Sequence, residues 1–151
     1  MAIPTCTLGS TGITTTVLGI GGYIGGLERA DATAMDRQEA AIAAVQRAAE
    51  LGVRYFDTSP AYGIDGEAQK LLGLGLNSLT VEQRSKLTVS TKAGTHPDRH
   101  QQYDRDSIMW SVEESCKLLF TDSIDILLVH DPSNHAHMEQ VLAIGGAVEA
   151  L

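Results

Sequence analysis

Residues 52–67 read GVRYFDTSPAYGIDGE. Val53, Tyr55 and Phe56 have the composition of a buried strand, yet the run ends on Asp57, and Tyr62 follows across a Ser-Pro-Ala loop. A strand built only for packing has no need to carry a carboxylate and a phenol to its own mouth. Beyond the loop, GEAQKLLGLGL predicts a helix at about 66–76.

The same strand–loop–helix unit recurs on both sides. Upstream, Thr5 to Leu8 and Ile13 to Val17 predict a small hairpin around Gly9-Ser10-Thr11-Gly12. VLGIGGYIGG follows as a short strand running into a glycine-rich loop. Asp36 and Glu39 resemble a capping pair that opens a helix, whose Ala41, Ala44, Val45, Ala48 and Leu51 recur at helical spacing before Gly52 stops it. Downstream, a strand at 87–91 leads through KAGTHPDRHQQY to a helix starting near Asp104, expected to bury Ile108, Val112, Cys116 and Leu119. A strand at 124–130 follows, and the tail from about 137 reads as helix.

Four β/α units with short, nearly continuous apolar strands belong to a parallel sheet. An open dinucleotide-binding sheet would carry G-x-G-x-x-G after its first strand. Here Gly19, Gly21 and Gly22 are followed by Ile24 where the third glycine should stand, and the fingerprint fails. The fold class expected is therefore α/β, the N-terminal half of a (β/α)8 TIM barrel behind a leading hairpin. A full barrel typically needs about 250 residues. The 151 residues are read as one partial barrel domain, truncated before its second half.

Composition narrows the partners. The formal net charge of −8, without a basic cluster, disfavours nucleic acid and anionic membrane surfaces. No run approaches membrane-spanning length, and MAIPTCTLGSTG lacks the form of a secretion signal. Cys6 and Cys116 are read as two free thiols of a reducing cytoplasm.

Barrel active sites form at the C-terminal ends of the strands. The second strand ends at Asp57 with Tyr62 in its loop, the third at Lys92 and the fourth at His130. Each alone has an ordinary explanation: a turn-forming Asp, a half-buried Tyr, a solvated Lys, a buried imidazole. Together on one rim they suit proton transfer. A phenol is a poor acid at neutral pH, and a nearby ammonium favours its ionised form. Asp57 would hold Lys92 charged and in place, His130 would aim a substrate oxygen, and Tyr62 would give or take its proton. A hydride carrier must come from outside the protein.

These residues, in this order, resemble the aldo-keto reductase family. GVRYFDTSPAYGIDGEAQKLLGLGL is similar to its signature region, LTVSTKAG to its lysine strand, and SVEESCKLLFTDSIDILLVHDP to its histidine strand. The resemblance implies a catalytic tetrad at Asp57, Tyr62, Lys92 and His130. It also implies a metal-free reaction with NADP or NAD and a small carbonyl or sugar substrate. YDRDSIMWSVEES with LLVHDPSNH is similar to the branch of fucose, galactose and D-threo-aldose 1-dehydrogenases. By the same analogy Tyr23 and His130 meet substrate, while Gly21, Gly22 and Asp57 meet the nicotinamide end of the cofactor. Most groups that grip the dinucleotide in that family lie in the second half of the barrel. The chain alone is therefore expected to be inactive, with an incomplete cofactor site and exposed strand edges prone to self-association.

Two rivals stand beside this reading. His130, Asp131, His135 and His137 cluster near the fourth strand and raise a metal-dependent barrel hydrolase. A binding or regulatory protein that kept a barrel sequence is the other. Trp110 is read as packing between helices, and His96 and His100 as solvated loop residues.

Overall fold

A computed structural model of the chain describes residues 2–24 and 31–151. The leading hairpin pairs β1 (Thr5–Thr7) with β2 (Thr14–Thr16), Thr5 opposite Thr16. Thr16 Oγ1 accepts the Arg54 amide at 2.9 Å, which places the hairpin under the N-terminal ends of the sheet strands.

β3 (Gly19–Ile20) starts the main sheet, and α1 (Ala34–Glu50) returns the chain. The cap of α1 differs from the expected Asp36–Glu39 pair. Thr33 is the N-cap: its hydroxyl accepts from the Asp36 amide, while Asp36 reaches back to the Thr33 amide. The reciprocal box needs a hydroxyl at the cap itself, which puts Asp36 at its far corner.

β4 (Tyr55–Asp57), α2 (Glu67–Asn77), the one-turn α3 (Val81–Arg84) and β5 (Thr88–Ala93) continue the alternation. The polar segment after β5, expected as loop, folds into a second hairpin of β6 (Thr95–His96) and β7 (Arg99–His100). Then come α4 (Arg105–Leu119), β8 (Ile126–Val129), α5 (His135–Leu142) and α6 (Ala147–Ala150). The main sheet is parallel throughout in the order β3-β4-β5-β8. Strands in chain order, each joined to the next through a helical segment, make this the first half of a (β/α)8 barrel. No helix of the described residues is long and apolar enough to cross a membrane.

Strand alternation sorts the two faces. Phe56 and Val89 turn outward into a core with Ala41 and Val45 of α1, Leu71, Leu72 and Leu76 of α2, and Leu119 of α4. The intervening residues Tyr55, Asp57, Ser90 and Lys92 share the opposite, inward face, with Asp57 directly across from Ser90. That face is polar, unlike the nearly continuous apolar strand the sequence suggests. Gln69 bridges the layers, donating to Thr91 Oγ1 at 2.7 Å and Ser115 Oγ at 2.8 Å.

The buried side of α4 departs from expectation. Ile108 and Leu119 are buried, but Val112 and Cys116 are only half-buried, and Ser107, Ser111 and Ser115 take the innermost positions. Small side chains there let the helix approach closely. Gly73 and Gly75 do the same on α2: a Cβ on Gly73 would lie 2.5 Å from the Leu118 carbonyl oxygen, and one on Gly75 would lie 2.5 Å from a Val45 methyl. Helix propensity alone favours alanine at both sites by about 1 kcal/mol. Overpacking instead makes Gly73→Ala destabilising, by about 1–3 kcal/mol. Gly75→Ala should cost less, because Val45 can shift where backbone cannot; urea unfolding of the two variants checks the sign and the order.

Candidate active site

The inward face of β4 and β5 carries a directed chain of hydrogen bonds. Tyr55 donates its hydroxyl to Ser90 Oγ at 3.0 Å, and Ser90 donates to Asp57 Oδ1 at 2.5 Å. Lys92 Nζ donates to Asp57 Oδ2 at 2.6 Å and to the Thr58 carbonyl at 2.8 Å. A carboxylate only accepts, so the direction of every proton in the chain is fixed. Lys92 is 9% exposed. A buried ammonium requires such a counter-charge and such acceptors. Two of its three N–H groups are thus engaged, and the amine lies 5.0 Å from the centroid of the Tyr62 ring.

The loop after β4 is a tight turn that presents Tyr62. The Tyr62 amide donates to the Ser59 carbonyl, and the Ala68 amide at the start of α2 donates to the Tyr62 carbonyl. The Tyr62 ring meets the His130 ring edge-on, with centroids 5.8 Å apart. Asp57, Tyr62, Lys92 and His130 therefore converge on one rim.

His130 follows β8, and its amide donates to the Ala93 carbonyl at 2.8 Å. Its Nδ1 lies 3.0 Å from Ser59 Oγ and 2.5 Å from Thr95 Oγ1. Burial, then the Lys92 charge, hold its pKa below the usual imidazole range, so the ring is neutral at pH 7. Behind it the buried Tyr103 hydroxyl donates to the carbonyls of both His130 and Asp131, each at 2.9 Å. This anchor holds Asp131 in the left-handed region, at φ 51°. Gly94 makes room for the anchor: its φ is +105°, and a Cβ there would lie 2.4 Å from the Tyr103 ring.

The remaining sequence candidates have distinct settings. Gly22 gives its amide to the Asp57 carbonyl at 3.1 Å, so that donor is committed within the protein. Gly21 is exposed beside Asp57, with nothing nearer to its Cβ position than Asp57 Cβ at 3.8 Å. Tyr23 lies over Gly63, next to Tyr62, and donates its hydroxyl to Glu67, which also pairs with Arg37 at 2.9 Å. Burial and this hydrogen bond push the Tyr23 phenol upward in pKa, and the same bond draws Glu67 below the ordinary carboxyl range.

Among the described residues no three His, Cys, Asp or Glu side chains are grouped to hold a metal ion. His135 pairs with Glu139 on α5, and His137 turns toward Ser133 and Asn134. His96 is buried, contrary to its reading as a solvated residue. It meets Trp110 edge-on at 4.6 Å, while Arg99 covers that indole at 4.5 Å, so Trp110 packs under the second hairpin and not between helices. The Asp98 amide donates to His96 Nδ1, which needs a lone pair there, and burial keeps this ring's pKa low as well.

Two imidazoles neutral in the fold and titrating near 6.5 when unfolded bind protons preferentially in the unfolded state. Their contribution to stability is complete above about pH 6.5 and is lost as pH falls toward their folded values. The urea midpoint should therefore drop between about pH 7.5 and pH 5.5. Replacing His96 with Asn should flatten that slope; a slope of the opposite sign would contradict the burial argument.

Comparison with known proteins agrees with this architecture. The profile of the aldo/keto reductase family matches residues 17–149. The chain is 36% identical to the L-galactose dehydrogenase of Arabidopsis thaliana over 82% of its own length and 37% of that protein's. It is 32% identical to a D-threo-aldose 1-dehydrogenase of Pseudomonas sp. over 72% of itself and 38% of the relative. A solved Pseudomonas aeruginosa protein described as an aldo-keto reductase superposes with a TM-score of 0.64 at 29% identity, over 89% of this chain and 49% of that one. The chain thus spans less than half the length of each.

Proposed function

The chain belongs to the aldo/keto reductase family, and on that premise we propose that its rim is the proton-transfer centre of a nicotinamide-dependent oxidoreductase. The observation that carries the reading is the buried Lys92 ammonium, fixed by Asp57 and Thr58 with one face turned to the Tyr62 ring.

A bound NAD or NADP would supply or accept the hydride, which no side chain can do. The residues present suit the reacting end of such a dinucleotide. Gly21 leaves the approach beside Asp57 clear, and Tyr62 and His130 meet on the rim to which Asp57 belongs. Tyr62 is the general acid and base. In reduction its hydroxyl gives a proton to the carbonyl oxygen as the carbon gains hydride; in oxidation it takes the alcohol proton as the carbon loses hydride. Lys92 supplies the positive field against which the Tyr62 proton moves. Neutral His130 donates to the substrate oxygen and orients it.

The substrate we propose is an aldose oxidised at C1, because two relatives are named for dehydrogenases of such sugars. Tyr23, 38% exposed beside the Tyr62 loop, is the proposed pocket wall. The two free thiols suit a reducing compartment such as the cytoplasm. Among the described residues β3 and β8 each have one neighbour in the sheet, and the inward-facing Leu128 of β8 is 43% exposed. Further barrel strands, covalently continuous or contributed by association, would complete this surface and grip the phosphates of the cofactor.

Nicotinamide-linked oxidation of L-galactose and related aldoses, followed by cofactor absorbance, tests the reading. Tyr62→Phe should lower kcat/KM by about 10²–10⁴-fold while the fold is retained. Full activity in that variant, or no aldose turnover in any assembled form, would overturn it. Brisk turnover by the monomeric 151-residue chain would overturn the proposed need for further strands.

A further inference from the structure

We infer that Ser59 and Thr95 are positioning residues that fix the tautomer of His130, leaving its single ring proton on Nε2. The purpose of the device rests on the reading of His130 as a donor to the substrate oxygen; its existence does not.

The hydroxyl protons at this site have few acceptors. Ser59 Oγ already accepts the Ala61 amide at 3.1 Å, so its own proton must find an acceptor elsewhere. The acceptor within reach is His130 Nδ1, at 3.0 Å. Thr95 Oγ1 has the same acceptor at 2.5 Å and no other hydrogen-bond partner among the described residues. Ser59 is fully buried and Thr95 is 5% exposed, so solvent offers little substitute.

The two neutral tautomers differ sharply in this setting. With the ring proton on Nε2, the one Nδ1 lone pair is the acceptor for the hydroxyl protons, taken mainly by Thr95 at 2.5 Å and shared with Ser59 at 3.0 Å. With the proton on Nδ1, the ring donates to one oxygen, and both hydroxyl protons lose their acceptor. Buried donors without acceptors are rare because the desolvation cost is not repaid. The surroundings therefore select the Nε2–H form. Nε2 makes no hydrogen bond within the described residues, which leaves this N–H available to a ligand oxygen at the rim it shares with Tyr62.

This also gives the second hairpin a purpose. Thr95 is the first residue of β6, and it reaches His130 because Gly94 turns the chain at a positive φ beneath the Tyr103 ring. The hairpin lies outside the barrel sheet, yet it delivers the hydroxyl nearest the imidazole.

Nitrogen NMR of the chain labelled with ¹⁵N-histidine, at mildly alkaline pH where the ring is neutral, reads the tautomer directly from the ring couplings. His130→Gln assigns the signals. The wild-type chain should show Nε2–H as the major form. In Ser59→Ala/Thr95→Val the Nδ1–H form should rise from a minor to a comparable or larger population, and Thr95→Ser should keep the wild-type pattern. Dominance of Nδ1–H in the wild type would overturn the inference. So would an unchanged ratio in a double variant whose amide spectrum away from the site is unaltered. Should the double variant not fold, Ser59→Ala and Thr95→Val are read singly: a rise of the Nδ1–H form in either supports the inference, and an unchanged ratio in both overturns it. A failure of aldose turnover would remove the redox reading and leave this result standing.

Discussion

The site depends on one buried cation. Lys92 lies on the inward face of β5, nearly sealed from solvent, and an isolated ammonium there would be prohibitively costly. Its partner Asp57 comes from the neighbouring strand, so the ion pair ties the parallel register of β4 and β5 to the rim. Ser90 and Tyr55 occupy the free oxygen of that carboxylate and the oxygen beyond it. The amine lies 5.0 Å from the centroid of the Tyr62 ring.

The imidazole side is organised differently. His130 is neutral and held from behind, through its backbone by Tyr103 and through Nδ1 by two hydroxyls. One flank of the rim is thus charged and held by an ion pair, and the other is neutral with one nitrogen free. That asymmetry suits a centre in which one group moves a proton while another only points at the oxygen receiving it. The helical layer supports both flanks by close approach, through the two glycines of α2 and the serines of α4.

Much of this is legible in the sequence, because an apolar strand ending on a polar residue is conspicuous, and three such ends fall on one rim with a loop tyrosine beside them. The rest was hidden for identifiable reasons. Ser90 stands two residues before Lys92, so strand alternation alone puts it on the same face. Reading the strands as apolar on both sides concealed it, and Tyr55 with it. Thr95 and His96 sit in a segment with proline, aspartate and histidine, whose composition signals an exposed loop; pairing with Arg99 and His100 and cover over Trp110 bury them. In α4, the apolar spacing of Val112 and Cys116 suggested the wrong face, because serines permit a closer approach than the hydrophobic pattern allows for. Tyr103 carried no local signal, since its role depends on a carbonyl pair nearly thirty residues away.

In the proposed mechanism the strand-borne ammonium acts through the neighbouring phenol and not beside it. A double-mutant cycle in kcat/KM for Lys92→Met and Tyr62→Phe tests this most directly, because residues that act as a unit lose their effects non-additively. Adding Lys92→Met to Tyr62→Phe should then cost little beyond Tyr62→Phe alone. Losses that simply multiply would mean that the two residues contribute independently, and the account would be wrong.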